Sequence, residues 1–330
     1  MKLLVTGGAG YIGSVVAARL VDDGHDVTVL DDLSTGHRDA VPDGATFVQG
    51  SVDDARQALA GVHAVLHFAA KSLVGESVSR PEAYWENNVV GTLRLVAAMR
   101  DAGVRRLVFS STAATYGIPE ATPISEDAPA RPINPYGHTK LAIDHALTDE
   151  AGAHGLRAVS LRYFNVGGAV GPFGERHAIE THLIPNILQV PAGQRANVDI
   201  FGTDYATPDG TAIRDYLHVD DLARAHVLAL DYTGEGLSAD GAHAVYNLGS
   251  GTGFSVREVV ESARRVTGHA IPAEEKPRRA GDPPVLVASS DRIAADLGWS
   301  THHDLDRIVT DAWAFVQKSS LAPGPPTAAR

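Results

Sequence analysis

Tyr136 and Lys140 stand four positions apart in Asn134-Pro135-Tyr136-Gly137-His138-Thr139-Lys140, ahead of Leu141-Ala142-Ile143-Asp144. A helix beginning near Pro135 puts both side chains on one face. An unperturbed phenol ionises near pH ~10, so a tyrosine acting as base at neutrality needs a drop of about three units, roughly 4 kcal/mol. A neighbouring ammonium in a desolvated site supplies part of that. Upstream, Phe109-Ser110-Ser111-Thr112 closes an apolar run with hydroxyls, and Thr112 could hydrogen-bond a reacting oxygen. The chemistry these residues suit is proton removal from a hydroxyl. A tyrosine and a lysine at this spacing also occur together by chance on a surface, so the pair gains meaning only from what surrounds it.

Near the start, Thr6-Gly7-Gly8-Ala9-Gly10-Tyr11-Ile12-Gly13 follows the run Leu3 to Thr6 and opens a helical pattern containing Val15, Val16 and Leu20. Glycines there let the backbone turn tightly, bring N–H groups to a pyrophosphate and seat a helix close to a strand. Asp31, ending the second run, sits where a carboxylate accepts from ribose hydroxyls and repels the extra phosphate of NADP, so NAD is favoured. Asp32 lies beside it. The alternative is an ordinary Gly-rich turn with two solvated acids. With NAD bound, its positive ring and Lys140 could together depress Tyr136.

The elements that position these groups follow a pattern. Short β-branched runs recur at Leu3 to Thr6, Val27 to Leu30, Ala64 to Phe68, Leu107 to Ser110 and Ala158 to Leu161, with amphipathic stretches between them. Uninterrupted runs suit parallel strands buried on both faces, and the stretches between suit right-handed crossovers. The expected fold is a Rossmann-type, doubly wound α/β sheet with a smaller α/β C-terminal domain for substrate. Residues 1–165 form the NAD-binding part, with a return near 215–248 that includes a strand at Ala244 to Leu248. Residues 166–318 are mainly substrate-binding, and 319–330 read as a flexible tail.

Composition bounds the partners. The 330 residues carry 40 acidic and 28 basic side chains, a net charge of -12, which repels nucleic acid and anionic membranes. There is no cysteine, which excludes disulfides and thiolate zinc sites and fits a cytoplasmic protein. No apolar run approaches the ~20 residues of a membrane span. No metal-ligand set is assigned.

The whole chain from Lys2 to about Trp313 resembles the UDP-galactose 4-epimerase branch of the extended short-chain dehydrogenase/reductase family. The resemblance rests on the glycine turn, the Tyr/Lys pair and several further stretches: His67-Phe68-Ala69-Ala70, Val74-Gly75-Glu76-Ser77, Asn87-Asn88-Val89-Val90-Gly91-Thr92, Arg162-Tyr163-Phe164-Asn165, Arg214-Asp215-Tyr216-Leu217-His218-Val219 and Arg278-Arg279-Ala280-Gly281-Asp282. It implies a 4-epimerase of UDP-hexoses that keeps its NAD bound. The cofactor would be held by Gly7, Gly10, Tyr11, Ile12, Gly13, Asp31, Asp32, Ser51, Val52, Phe68, Ala69, Ala70, Asn88, Ser110, Tyr136, Lys140 and Tyr163. The substrate would be held by Thr112, Asn165, His182, Leu183, Phe201, Arg214, Tyr216, Arg279, Asp282 and Leu286. A homodimer through Asn88 to Met99 and Lys140 to Ala151 is also implied.

Some positions depart from the family pattern. Ser51 stands where an Asp usually meets the adenine amino group, leaving Ser51, Asp53 or Asp54 as substitutes. Lys71 is one position early for a cofactor contact and is unassigned. His182 replaces a residue that is often Asn. Leu286 replaces a bulky Tyr seen beside the sugar in some members, which suggests entry of N-acetylated hexoses. His67, His138 and His218 read as structural or surface residues. Ala113-Ala114, after Thr112, lacks the acid that a dehydratase or decarboxylase carries there. A uronate or pentose 4-epimerase and an inactive NAD sensor remain as rival readings, the second opposed by the presence of Thr112, Tyr136 and Lys140.

Overall fold

Neighbouring residues of the short apolar runs point to opposite faces, and both faces are covered. Leu3, Val5, Val29 and Val159 join one core with Val16, Leu20, Leu222 and Leu230. Leu4, Leu30, Val65, Leu107 and Ala158 join a second with Leu95, Met99, Ile143 and Leu147. Burial on both sides is why these strands carry uninterrupted apolar runs. The computed structural model describes residues 1–279 and 281–321.

Seven parallel strands form the main sheet in the order Ala242–Leu248, Arg157–Tyr163, Arg106–Thr112, Ala64–His67, Lys2–Thr6, Asp26–Asp31 and Thr46–Gln49. This is the doubly wound α/β arrangement expected from the sequence. The order reverses at Lys2–Thr6, which lies between Asp26–Asp31 and Ala64–His67. Because every strand runs the same way, Thr6, Asp31, His67, Thr112 and Tyr163 all end at one edge, where ligands of such sheets bind. Two strands extend past their apolar runs, to Arg106–Thr112 and Arg157–Tyr163. Ladder pairing in register, Thr112 opposite Tyr163, continues through the polar ends.

Beyond that edge lies a smaller layer. The strand Ile213–His218 pairs in parallel with Asn165–Gly167 and Val285–Leu286, and antiparallel with Gly253–Ser255. Val198–Phe201 pairs with Ala273–Lys276. A third core of Ile184, Ile187, Val198, Tyr216, Val259, Leu305 and Ile308 supports them. The helix Val256–Thr267 has a Ser255/Glu258 capping box and ends on Gly268 at φ 71°, the arrangement expected of a well-specified helix.

The segment expected as a tail departs from that expectation at its start. Residues 319–321 continue the helix Leu305–Leu321, which Leu305, Ile308, Val309 and Phe315 anchor in the interior. Residues 322–330, and Ala280 of the Arg-Arg-Ala-Gly-Asp stretch, lie outside the described residues.

Candidate active site

The glycine turn leads from the first strand into the helix Tyr11–Asp22. Gly7 has φ 72°, and a Cβ there would lie 2.5 Å from the Ala69 nitrogen; a Cβ on Gly13 would lie 2.2 Å from the Gly7 carbonyl oxygen. These two glycines therefore let the turn, the helix and the Phe68-Ala69 segment pack together. Gly10, the N-cap, has nothing nearer than 3.4 Å, and no side chain caps the helix. First-turn N–H groups without a capping side chain, at the positive end of the helix dipole, suit an anion. Ala9, Gly10 and Tyr11 line a cavity with Thr35, His37 and Arg176.

Asp31 closes its strand beside this turn, with its carboxylate accepting from Ala9 N at 2.9 Å and Leu33 N at 2.8 Å. Burial raises its pKa, against the pull of those two N–H groups. Each oxygen retains a lone pair for a ribose hydroxyl, so the turn and its acid fit a dinucleotide. Asp32 is exposed and accepts from Ser34 N. Ser51 is occupied locally: its hydroxyl accepts from Asp53 N, and its own N–H donates to Asp54. Asp53 pairs with Arg94 at 3.0 Å. All three substitutes for the missing adenine-contacting acid therefore have protein partners, and Val52 follows Ser51 in the same short turn.

Asn88 is buried in a π-helical stretch, Trp85–Val90, and bonds both backbone groups of Lys71 at 2.8 and 3.0 Å. It thereby fixes the chain that follows Phe68, Ala69 and Ala70. Its amide also donates to Thr139 on the helix carrying Tyr136.

That helix, Pro135–His154, starts with Asn134 accepting from Gly137 N at 2.8 Å and Pro135 in its first turn. A Cβ on Gly137 would lie 2.5 Å from the Ala114 oxygen, so the helix start abuts the turn after Thr112. Tyr136 is half-buried, with Thr112 near enough to its hydroxyl to favour the phenolate. Lys140, 1 % exposed, donates to the Ser110 carbonyl at 2.6 Å and lies 4.6 Å above the Phe109 ring.

Burial sets the charge states of the pair in the protein alone. Burial pushes Tyr136 up to about 12, with Thr112 opposing, and pushes Lys140 down to about 7, with Asp144 opposing. The protein alone does not lower the tyrosine. Desolvation penalises both charged forms, and it weakens the ammonium that was to stabilise the phenolate.

Tyr163 is buried with its hydroxyl bonded to His226. His226 Nδ1 faces the Leu222 carbonyl at 2.9 Å, so this nitrogen carries the proton and Nε2 accepts from Tyr163. Burial lowers His226 to about 4 and holds it neutral.

Asn165 pairs opposite Tyr216, and Arg214 opposite Leu286. Arg214 forms an ion pair with Asp282 at 2.5 Å, rather than with Asp215 or Asp220. Asp215 is instead engaged by Ser250, Gly251 and Ala288, and Asp220 pairs with Arg19. The Arg279 guanidinium lies 4.0 Å from the centre of the Phe201 ring. His182 precedes Leu183, the first residue of the short helix Leu183–Leu188, and its Nδ1 bonds Glu175. Of the histidines read as structural or surface, His67 is buried between Thr6 and Thr92 and falls to about 3. His218 caps Val219–Glu235 through Asp220 N, and His138 is exposed.

Sequence reasoning missed the buried support beneath the pair. Asp144, four residues beyond Lys140, receives Arg162 Nε and Nη2 at 3.1 and 2.9 Å and Ser111 at 3.3 Å. The signal was present in the same four-residue spacing. A second missed group is Glu175, His177, Glu180 and His182, whose polar atoms lie within 4.8 Å of one another. Its sequence signal is a Glu-x-His repeated five residues apart.

A family model described as "NAD dependent epimerase/dehydratase family" matches residues 3–249. The chain is 58% identical over 320 residues to a UDP-glucose 4-epimerase of Corynebacterium glutamicum, covering 96% of each. It is 56% identical over 320 residues to one from Streptomyces lividans, covering 95% of each. Among solved structures, UDP-glucose 4-epimerase from Brucella ovis in complex with NAD superposes with a TM-score of 0.90 at 47% identity, over 96% of this chain and 98% of that one. With a glycine turn, a strand-end acid and a Tyr/Lys pair on one sheet edge, the chain belongs to the NAD dependent epimerase/dehydratase family.

Proposed function

We propose that this protein interconverts UDP-galactose and UDP-glucose. The observation that carries the reading is Tyr136 beside Thr112, with Lys140 buried one turn along the helix Pro135–His154, at the edge where the glycine turn presents the uncapped helix Tyr11–Asp22. Identity above 50% over nearly the whole length to enzymes bearing that activity in their names supports it.

The Gly7–Gly13 turn, Asp31 and the Phe68–Ala70 segment would hold NAD, which when bound would supply reversible hydride acceptance for the sugar C4. Tyr136 takes the proton of the 4-hydroxyl, and Thr112 orients that oxygen. Lys140, with Ser110 accepting from it, holds positive charge near the phenol, which the cofactor's cation reinforces. Arg214 retains donors beyond its bonds to Ile213 and Asp282, so it can share a diphosphate with Arg279, while Phe201 packs on the uracil. Anchored by that end, the 4-keto sugar turns over, and Tyr136 returns its proton on the other face.

We assign 1–165 and the return strand to NAD and 166–318 mainly to the UDP-sugar, in a cytoplasmic homodimer. Exposed Trp85 and Leu93, both 43 % exposed, support a pairing face there. Leu286, in register with Arg214, favours a second substrate class, N-acetylated UDP-hexoses. The test is incubation of purified protein with UDP-galactose, UDP-N-acetylglucosamine and UDP-glucuronate, followed by NMR. Formation of UDP-glucose from the first supports the main reading. Background turnover of the second removes the N-acetyl reading, and conversion of the glucuronate alone replaces the substrate.

A further inference from the structure

We propose that Glu175, His177, Glu180 and His182 form a closed binding site for one divalent transition-metal ion, zinc by its ligand chemistry, bracing the segment that covers the glycine turn. The proposal assigns His182 to the metal rather than to the UDP-sugar.

One donor atom from each residue lies within 4.8 Å of the others, so the four would draw together on a bound ion. Zinc takes imidazole nitrogen at ~2.0–2.1 Å and carboxylate oxygen at ~2.0–2.2 Å, and a tetrahedron of that radius has edges of about 3.4 Å. Here His177 Nδ1 lies 3.1 Å from Glu175 Oε1 and 3.6 Å from Glu180 Oε2, and His182 Nδ1 lies 3.5 Å from Glu180 Oε1. The His182–Glu175 edge is a direct hydrogen-bond contact and would open on binding. His177 Nδ1 makes no hydrogen bond of acceptable angle, although a carboxylate oxygen is within reach. Two imidazoles with two carboxylates suit zinc rather than calcium or magnesium, and four protein ligands leave no open position.

The surroundings are those of a prepared site. The Glu175 and Glu180 side chains are only 6 % and 8 % exposed. Glu180 Oε1 is fixed by the N–H groups of Thr181 and His182, both at 2.8 Å, as outer bonds fix a metal ligand. The same segment is tied to the loop after Asp31, since Arg176 pairs with Asp39 at 2.7 Å and its carbonyl faces His37 Nε2 at 3.0 Å. Both carboxylates act on Tyr11, whose pKa they help burial to raise.

The test is zinc content and zinc titration of chelator-treated, tag-free protein, beside His177→Ala and Glu180→Gln, with visible spectra after cobalt loading. The proposal expects one tightly bound zinc per chain and the intense visible bands of tetrahedral cobalt. It also expects at least a tenfold loss of affinity in each variant. Wild-type protein that takes up no zinc overturns it regardless of how the variants fold. Equal uptake by all three proteins, from surface histidines, or a six-coordinate cobalt spectrum also overturns it.

Discussion

At the scale of the residue, Tyr136 and Lys140 are each displaced by burial toward their neutral forms. Tyr136→Phe keeps the ring and removes the proton acceptor. Steady-state kinetics should then show kcat reduced by about 10²–10⁴-fold. Lys140 makes a prediction about stability. Its folded pKa, about 7, lies below the unfolded value of ~10.4, so below pH ~7 both states carry the proton and the desolvation cost is complete. As pH rises from there toward ~10.4, the unfolded chain keeps its proton while the folded one has lost it, and the cost fades. Lys140→Met should therefore raise stability toward urea on the order of 1–3 kcal/mol at pH 7, progressively less toward pH 10, and abolish turnover. A Lys140→Met midpoint at pH 7 equal to or below the wild type would contradict this.

At the scale of the element, glycines in the first turn divide into those that pack and one that faces outward. Gly13→Ala puts a methyl against backbone, 2.2 Å from the Gly7 oxygen, and should cost about 1–3 kcal/mol and the bound NAD together. Gly10→Ala meets nothing nearer than 3.4 Å, so it should unfold like the wild type yet purify with less NAD. Calorimetry and cofactor release on denaturation separate the two. The strand runs and this turn were legible because burial on both faces and close approach each leave a residue-type signature. The Asp144–Arg162 bridge was not, because its partners lie 18 positions apart and meet only when helix and strand pack. The nearness of Lys140 to Tyr136 can be read from spacing, whereas the desolvation that raises the phenol depends on the finished interior. Arg214 pairing with Asp282 rather than Asp215 has the same origin: 68 residues of chain close before the pair exists.

At the scale of the whole molecule, an acidic chain holds two cations, Arg214 and Arg279, at the layer beyond the sheet edge. Leu93→Glu places a charge on the exposed face near Trp85. Light scattering should show a monomer in place of a dimer, whereas an unchanged dimer would move the interface elsewhere. In the proposed reaction one hydride leaves C4 and returns to C4 without exchange with water. UDP-galactose carrying deuterium at C4, incubated in ordinary water with the purified protein and no added NAD, tests it directly by NMR of the product. The expected product is UDP-glucose that keeps its C4 deuterium. Product with hydrogen at C4, or no product until NAD is added in proportion to turnover, would contradict it.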